Sequence, residues 1–240
     1  MTRQRVVVAV GLLFSLLSMS LPPAVARPPA VRHLQHILAG LRGVHGLAMD
    51  FICQKSLAVL KHPFVSGGSI AMMQPDRVRF TTHRPYRSCF ILHGERVYMR
   101  TENNRRWHAG KGSRQQVVRR MMQEFASWSL GHARDISKAY HVQEAVGRAA
   151  VPPAPHMPRM RPRSKAKPFP KSLRLFTLIP KSPTVRQAVH AIRLGFSGGH
   201  PQLRWIEIRL VHGNKSCYWL THIRINPHFA PDEFQPKGPP

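Results

Sequence analysis

Gly195-Phe196-Ser197-Gly198-Gly199 spells the G-x-S-x-G pattern that can set a nucleophilic serine on a sharp strand-to-helix turn. That chemistry needs a helix directly after the serine. Here His200-Pro201 and a further strand-like run follow, so a Gly-rich hairpin turn is the expected structure. The 15 histidines are scattered: His33 and His36 share a helical face, but neither H-E-x-x-H nor C-x-x-C occurs, and no metal site is expected. Asp232-Glu233 is the only adjacent acid pair among ten acids, which leaves little material for carboxylate acid–base catalysis. No G-x-x-x-x-G-K or G-x-G-x-x-G phosphate loop is present. The expectation is a non-enzymatic protein without catalytic, metal-binding or cofactor-binding residues.

The elements that would position any site alternate in period. Val31, Leu34, Leu38 and Leu41 recur at helical spacing. From Leu47 the period becomes two, with Leu47, Met49, Phe51 and Cys53 on one face. Strand-like runs follow at Ser66–Met73, Arg77–Thr82, Ser88–His93 and Arg96–Thr101, separated by turn residues such as Gln74-Pro75-Asp76 and His93-Gly94-Glu95. Close succession of short strands indicates an antiparallel meander. Gln115–Leu130 interrupts it as an amphipathic, Met-rich helix with Val117, Met121, Phe125 and Trp128 on one face, flanked by Val118 and Met122. Such a helix either docks on a core or covers an apolar cavity. Strands resume at Leu173–Ile179, Ala191–Phe196, Leu203–Val211 and Ser216–Ile225, the last two as a hairpin around His212-Gly213-Asn214. Cys217, Trp219, Thr221, Ile223 and Ile225 are expected on one continuous face.

Between the two strand groups, Val151–Lys171 holds seven prolines and six basic residues with no acid. It reads as an extended, solvated insertion within one domain spanning 27–240. Cys53, Cys89 and Cys217 all fall in strands; one disulfide or three buried thiols are both compatible with their spacing.

Residues 1–26 carry Arg3 and Arg5, an apolar run from Val6 to Leu21, Pro22-Pro23 and Ala24-Val25-Ala26. This is a secretory signal peptide with cleavage expected after Ala26. No cysteine follows to take a lipid. The chain is therefore expected in the periplasm, soluble and monomeric. Its 37 basic against ten acidic residues give a net charge of +27, which calls for a polyanionic partner. Export makes nucleic acid the wrong polyanion and an anionic membrane surface the right one.

Several motifs carry a resemblance. Asp50-Phe51-Ile52-Cys53-Gln54-Lys55, followed by Phe64-Val65-Ser66-Gly67-Gly68, resembles the first two strands of LolA-like proteins. Pro75-Asp76-Arg77-Val78-Arg79-Phe80 is similar to their P-[DN] turn and strand, Ser88–Tyr98 to their next hairpin, and Asn226-Pro227-His228-Phe229 to Phe234 to their C-terminal segment. The resemblance implies a mainly β fold with α: a half-open antiparallel β-barrel enclosing an apolar cavity, covered by a helical lid. It implies a periplasmic carrier taking acylated lipoprotein, or a related lipid, from an inner-membrane exporter to an outer-membrane acceptor. On that fold the cavity residues would be Phe51, Phe64, Ile70, Met72, Phe80, Phe90 and Leu92. The lid residues would be Val117, Met121, Met122 and Phe125. Family carriers commonly have Arg before the turn proline as a lid contact; this chain has Gln74, which can hydrogen-bond without the charge-assisted part. The alternative on the same fold is a cationic binding or sensor module for a protein or polyanion.

Overall fold

The computed structural model describes residues 28–104, 106–109, 112–132, 136–156, 169–198 and 201–236. The expected signal peptide at 1–26 and the middle of the basic Pro-rich stretch lie outside them.

α1 (Pro29–Ala39) opens with Pro29 in its first turn, where the missing N–H costs nothing, and buries Val31, Leu34, Ile37 and Leu38. The first half of the sheet is a meander of β1 (Gly46–Ser56), β2 (Phe64–Met73), β3 (Arg77–Arg84), β4 (Ser88–His93), β5 (Arg96–Thr101) and the short β6 (His108–Ala109). α2 (Gly112–Ser129) and α3 (Ile136–Ala139) follow. The second half is β7 (Tyr140–Glu144), β8 (Ala149–Ala150), β9 (Ser172–Pro180), the turn helix α4 (Pro183–Arg186), β10 (Val189–Phe196), β11 (Leu203–Leu210) and β12 (Lys215–Ile225).

These strands form one 12-stranded antiparallel sheet in the order β6-β5-β4-β3-β2-β1-β12-β11-β10-β9-β7, with β8 added on β9. The first strand pairs with the last, Phe51 opposite Leu220, and so joins the halves. The expected half-open antiparallel barrel is what the chain builds: β6 and β7 end the path, and no pairing joins them among the described residues. In the chain those two end strands are connected through α2 and α3. At 1.5 Å per residue α2 is about 27 Å long.

Register fixes the faces. Phe51, Ile70, Met72, Val78, Leu92, Leu178, Leu194, Ile206 and Leu220 belong to the concave core, with α1, α2 and α3 packed on it. Gly68 is required there: a Cβ would meet the Thr81 carbonyl and come 2.9 Å from the Phe51 ring, which fills the space above the glycine.

The convex face carries a second cluster of Leu173, Leu175, Trp205, Cys217 and Trp219. The ends of the Pro-rich insertion cover it, contrary to the expectation of a wholly solvated loop. Val151, Ala154 and Phe169 pack on the cluster, and Trp219 Nε1 donates to Pro152 O at 2.8 Å. Two exposed indoles would be costly, and the flanks of the insertion remove them from water. Glu207 is also buried beneath this side, held by Arg209 Nε at 2.7 Å and Arg193 Nη1 at 3.4 Å.

β12 departs from the expected continuous face. Asp50 pairs with Thr221 but Ala48 pairs with Arg224, so His222 and Ile223 oppose Met49 alone. This is a β-bulge, with His222 at φ 50 in the left-handed region. It moves the alternation over by one residue. Cys217 and Trp219 lie on the convex side, whereas Ile223 packs with the concave core. The chain then turns at Asn226 (φ 47), whose Oδ1 accepts from the backbone of His45 at 2.7 Å and Gly46 at 3.1 Å.

The three cysteines are free and buried. Cys53 is in the concave core and Cys217 in the convex cluster, so their side chains diverge although their strands adjoin. Cys89 and Cys217 are four strand spacings apart, about 19 Å along the sheet, beyond the reach of a disulfide.

Candidate functional site

The concave face is where most of the expected residues meet. Ile70 pairs with Phe80, and Phe80 with Phe90; Met72 pairs with Val78, and Val78 with Leu92. Phe51 sits with its ring centroid 4.5 Å from that of Phe80, and Tyr218 lies against both. All these side chains are buried or half-buried in one contiguous cluster with the helices. Phe64 shares the face by register but lies beyond the cluster, stacked on Tyr86 at 6.5 Å at the end of the sheet.

α2 roofs this face. Val118, Met122, Phe125 and Ala126 pack onto it. Met121, expected on that stripe, is 52% exposed. It sits one residue, about 100°, away from Met122 around the helix, and the packed stripe runs through 118, 122, 125 and 126. Val117 lies in α2, with its side chain outside those described. Past the helix, Gly131 (φ 75) closes onto α1, where a Cβ would strike Leu38 O and Leu41. Trp128 packs edge-on to Tyr140 of β7 at 6.3 Å.

Polar ties hold the roof at its rim. Tyr140 donates its hydroxyl hydrogen to Glu124 Oε2 at 2.6 Å, and Arg120 Nε reaches Glu124 Oε1 at 3.2 Å. Arg119 pairs with Glu95 in the β4–β5 turn. Gln74, the expected lid contact, donates from Nε2 to Val44 O at 2.8 Å and touches His132, three residues past the end of α2. Burial, and then the neighbouring Glu124, push the Tyr140 hydroxyl well above the ordinary tyrosine range. Burial likewise raises the Cys53 thiol and the Tyr218 hydroxyl that faces it. These three groups stay neutral at ordinary pH.

The sequence reading missed the second half of this surface: Tyr218, Leu220, Ile206, Leu194 and Phe176 are as much part of it as the first-half residues. Their period-two alternation was the signal. Ser197 is elsewhere, in the β10–β11 turn. Its backbone N–H donates to Gln202 O at 2.9 Å, Gln202 N donates to Ser197 Oγ at 3.2 Å, and β11 follows in place of a helix. Among the described residues, no group of three or more His, Cys, Asp or Glu is placed to hold a metal ion.

A different hollow, of about 470 Å³, lies on the convex face between the sheet and the C-terminal tail. It is polar, with Asp50, Ser69, Arg79, His83, His222, Arg224 and Glu233 among its walls.

No family model matches the chain, and no curated protein matches it. Solved structures do. An uncharacterized conserved protein from Thermus thermophilus is similar with a TM-score of 0.51 at 6% identity, over 86% of this chain and 94% of that one. That is a likeness of fold. A LolA superfamily protein from Nitrosomonas europaea is similar with a TM-score of 0.39 at 9% identity, over 85% of this chain and 97% of that one. The complex of MucA with MucB from Pseudomonas aeruginosa is similar with a TM-score of 0.47 at 10% identity, over 88% of this chain and 62% of that one.

Proposed function

We propose that the protein is a periplasmic carrier that holds the acyl chains of lipoproteins, or of a related lipid, against the concave face beneath α2. From there it moves them from the inner to the outer membrane. The observation that carries this reading is the roof itself. An apolar face spanning the half-open sheet is covered by helices, and the longest of them, the amphipathic α2, is fastened at the rim by a few polar ties. Each tie is worth at most about 1.5–3 kcal/mol net. An acyl chain of fifteen methylenes leaving water gains about 12 kcal/mol. α2 can therefore be displaced by cargo, and it remains joined to β6 and β7 when it moves.

Native mass spectrometry of the protein isolated from its own periplasm tests this directly; acyl-bearing adducts are expected. In parallel, the variant Gln74→Cys with His132→Cys, bridged by a bismaleimide, should take up a fluorescent fatty acid far more slowly than the unbridged variant. No extractable acyl chain together with no uptake would end the reading.

The polar hollow on the convex face supports a second reading, a cationic module for a protein or polyanion. Binding of that kind would collapse with salt and ignore the bismaleimide bridge.

A further inference from the structure

One end of the sheet is built unlike the rest of the surface. Of the seven large apolar side chains left exposed among the described residues, three are here: Val59 (89%) and Leu60 (47%) in the β1–β2 loop, and Tyr86 (70%) in the β3–β4 loop. The two loops form one patch, because Phe64, which ends the first, stacks on Tyr86 of the second with ring planes 7° apart. The β1–β2 loop is also held in place rather than trailing: Ala58 N donates to Asn214 Oδ1 at 2.8 Å in the β11–β12 turn. The β3–β4 loop is held by Arg87 N, which donates to Glu102 Oε2 at 3.1 Å.

The fringe of this apolar patch is basic. Lys55, Lys61, Arg84 and Arg87 are exposed in or beside these loops, and among the described residues the nearest acid is Glu102, which accepts from Arg87 N. An aliphatic and aromatic tip ringed by cations matches the boundary between acyl chains and anionic head groups. The apolar tips enter by a few ångströms, and each Lys or Arg near the surface adds about 1 kcal/mol. A protein partner would supply acids opposite the cations but would not require the exposed valine, leucine and tyrosine to project from loop tips.

We infer that this end of the sheet, through Val59, Leu60 and Tyr86 with the surrounding Lys and Arg, docks the protein on an anionic lipid bilayer. The surface is separate from the concave face, so it stands whether or not that face carries acyl chains.

The test uses the purified protein and vesicles of equal parts phosphatidylglycerol and phosphatidylcholine, with pure phosphatidylcholine as the control. Flotation should carry the protein with the anionic vesicles, and binding should weaken as salt is raised. Val59→Glu with Leu60→Glu should reduce partition by at least about tenfold, with unchanged circular dichroism, because both side chains are already in water. An environment-sensitive fluorophore on Val59→Cys should shift to the blue on anionic vesicles, whereas the same label on Val146→Cys, on another exposed loop, should not. Equal binding to neutral vesicles, an unaffected double-Glu variant, or equal shifts at both labels would overturn the inference. So would a wild-type protein that binds an acidic protein through this patch and no vesicle. Failure here with intact fatty-acid uptake would leave the carrier reading standing, and the reverse result would leave the docking surface standing.

Discussion

Tyr140, the first residue of the far edge strand, donates a 2.6 Å hydrogen bond to Glu124 on the helix that roofs the sheet. One half-open edge thus holds the cover by a single phenol. Tyr140→Phe removes that bond and leaves Glu124 to Arg120 alone. A hydrogen bond to a charged group is worth about 1.5–3 kcal/mol, and the partial exposure of Glu124 puts the loss near the lower figure. Urea denaturation should show it. Hydrogen exchange should show the added opening confined to α2, and fatty-acid uptake should be faster.

Alkaline pH should weaken the fold. Cys217 is pushed up to about 12 from an ordinary 9.0, by burial first and the Glu207 carboxylate second. Cys53, Tyr140 and Tyr218 are raised too, each mainly by burial. A raised folded-state value means the unfolded chain releases its proton first. The stabilisation is complete below the unfolded values and is lost as pH climbs through the folded ones. Chemical denaturation at stepped pH should find stability falling from about pH 9 upward. Cys217→Ala should flatten the first part of that fall.

Ellman's reagent should find no reactive thiol in the native protein and three after unfolding, without any reductant. The cysteines occupy two faces and distant strands, so none has a partner within reach. A native disulfide by mass spectrometry would contradict the strand register itself.

Gly68→Ala should cost about 3 kcal/mol, at the upper end for overpacking, because its new methyl meets a backbone carbonyl and an aromatic ring that are both already packed. Adding Phe51→Leu should recover part of this by clearing the ring, a coupling that a double-mutant cycle measures.

Much of this fold was legible. β4 and β5 begin and end where alternation and turn residues place them, and the β11–β12 hairpin turns at His212-Gly213. The concave residues of the first half follow from the same period. Three features were not legible, each for a physical reason. The bulge is built at a histidine in the left-handed region, where glycine or asparagine would have given warning. β7 is only five residues long and precedes a Pro-rich stretch, so its role as an edge strand depends on pairing with β9, far along the chain. The packed side of α2 depends on which of two adjacent methionines meets the sheet. Met122 does, and nothing local distinguishes it from Met121.

The pairing of β1 with β12 has a kinetic meaning. A chain is synthesised N-terminus first, so β1 can form its hairpin with β2 long before Leu220 exists to stand opposite Phe51. Until then one edge of the central strand is bare, a template for intermolecular pairing. Contacts of such sequence separation make folding slow. The native sheet is therefore assembled only after the last strand has been made, and a chain truncated before Lys215 loses its centre, not its tail.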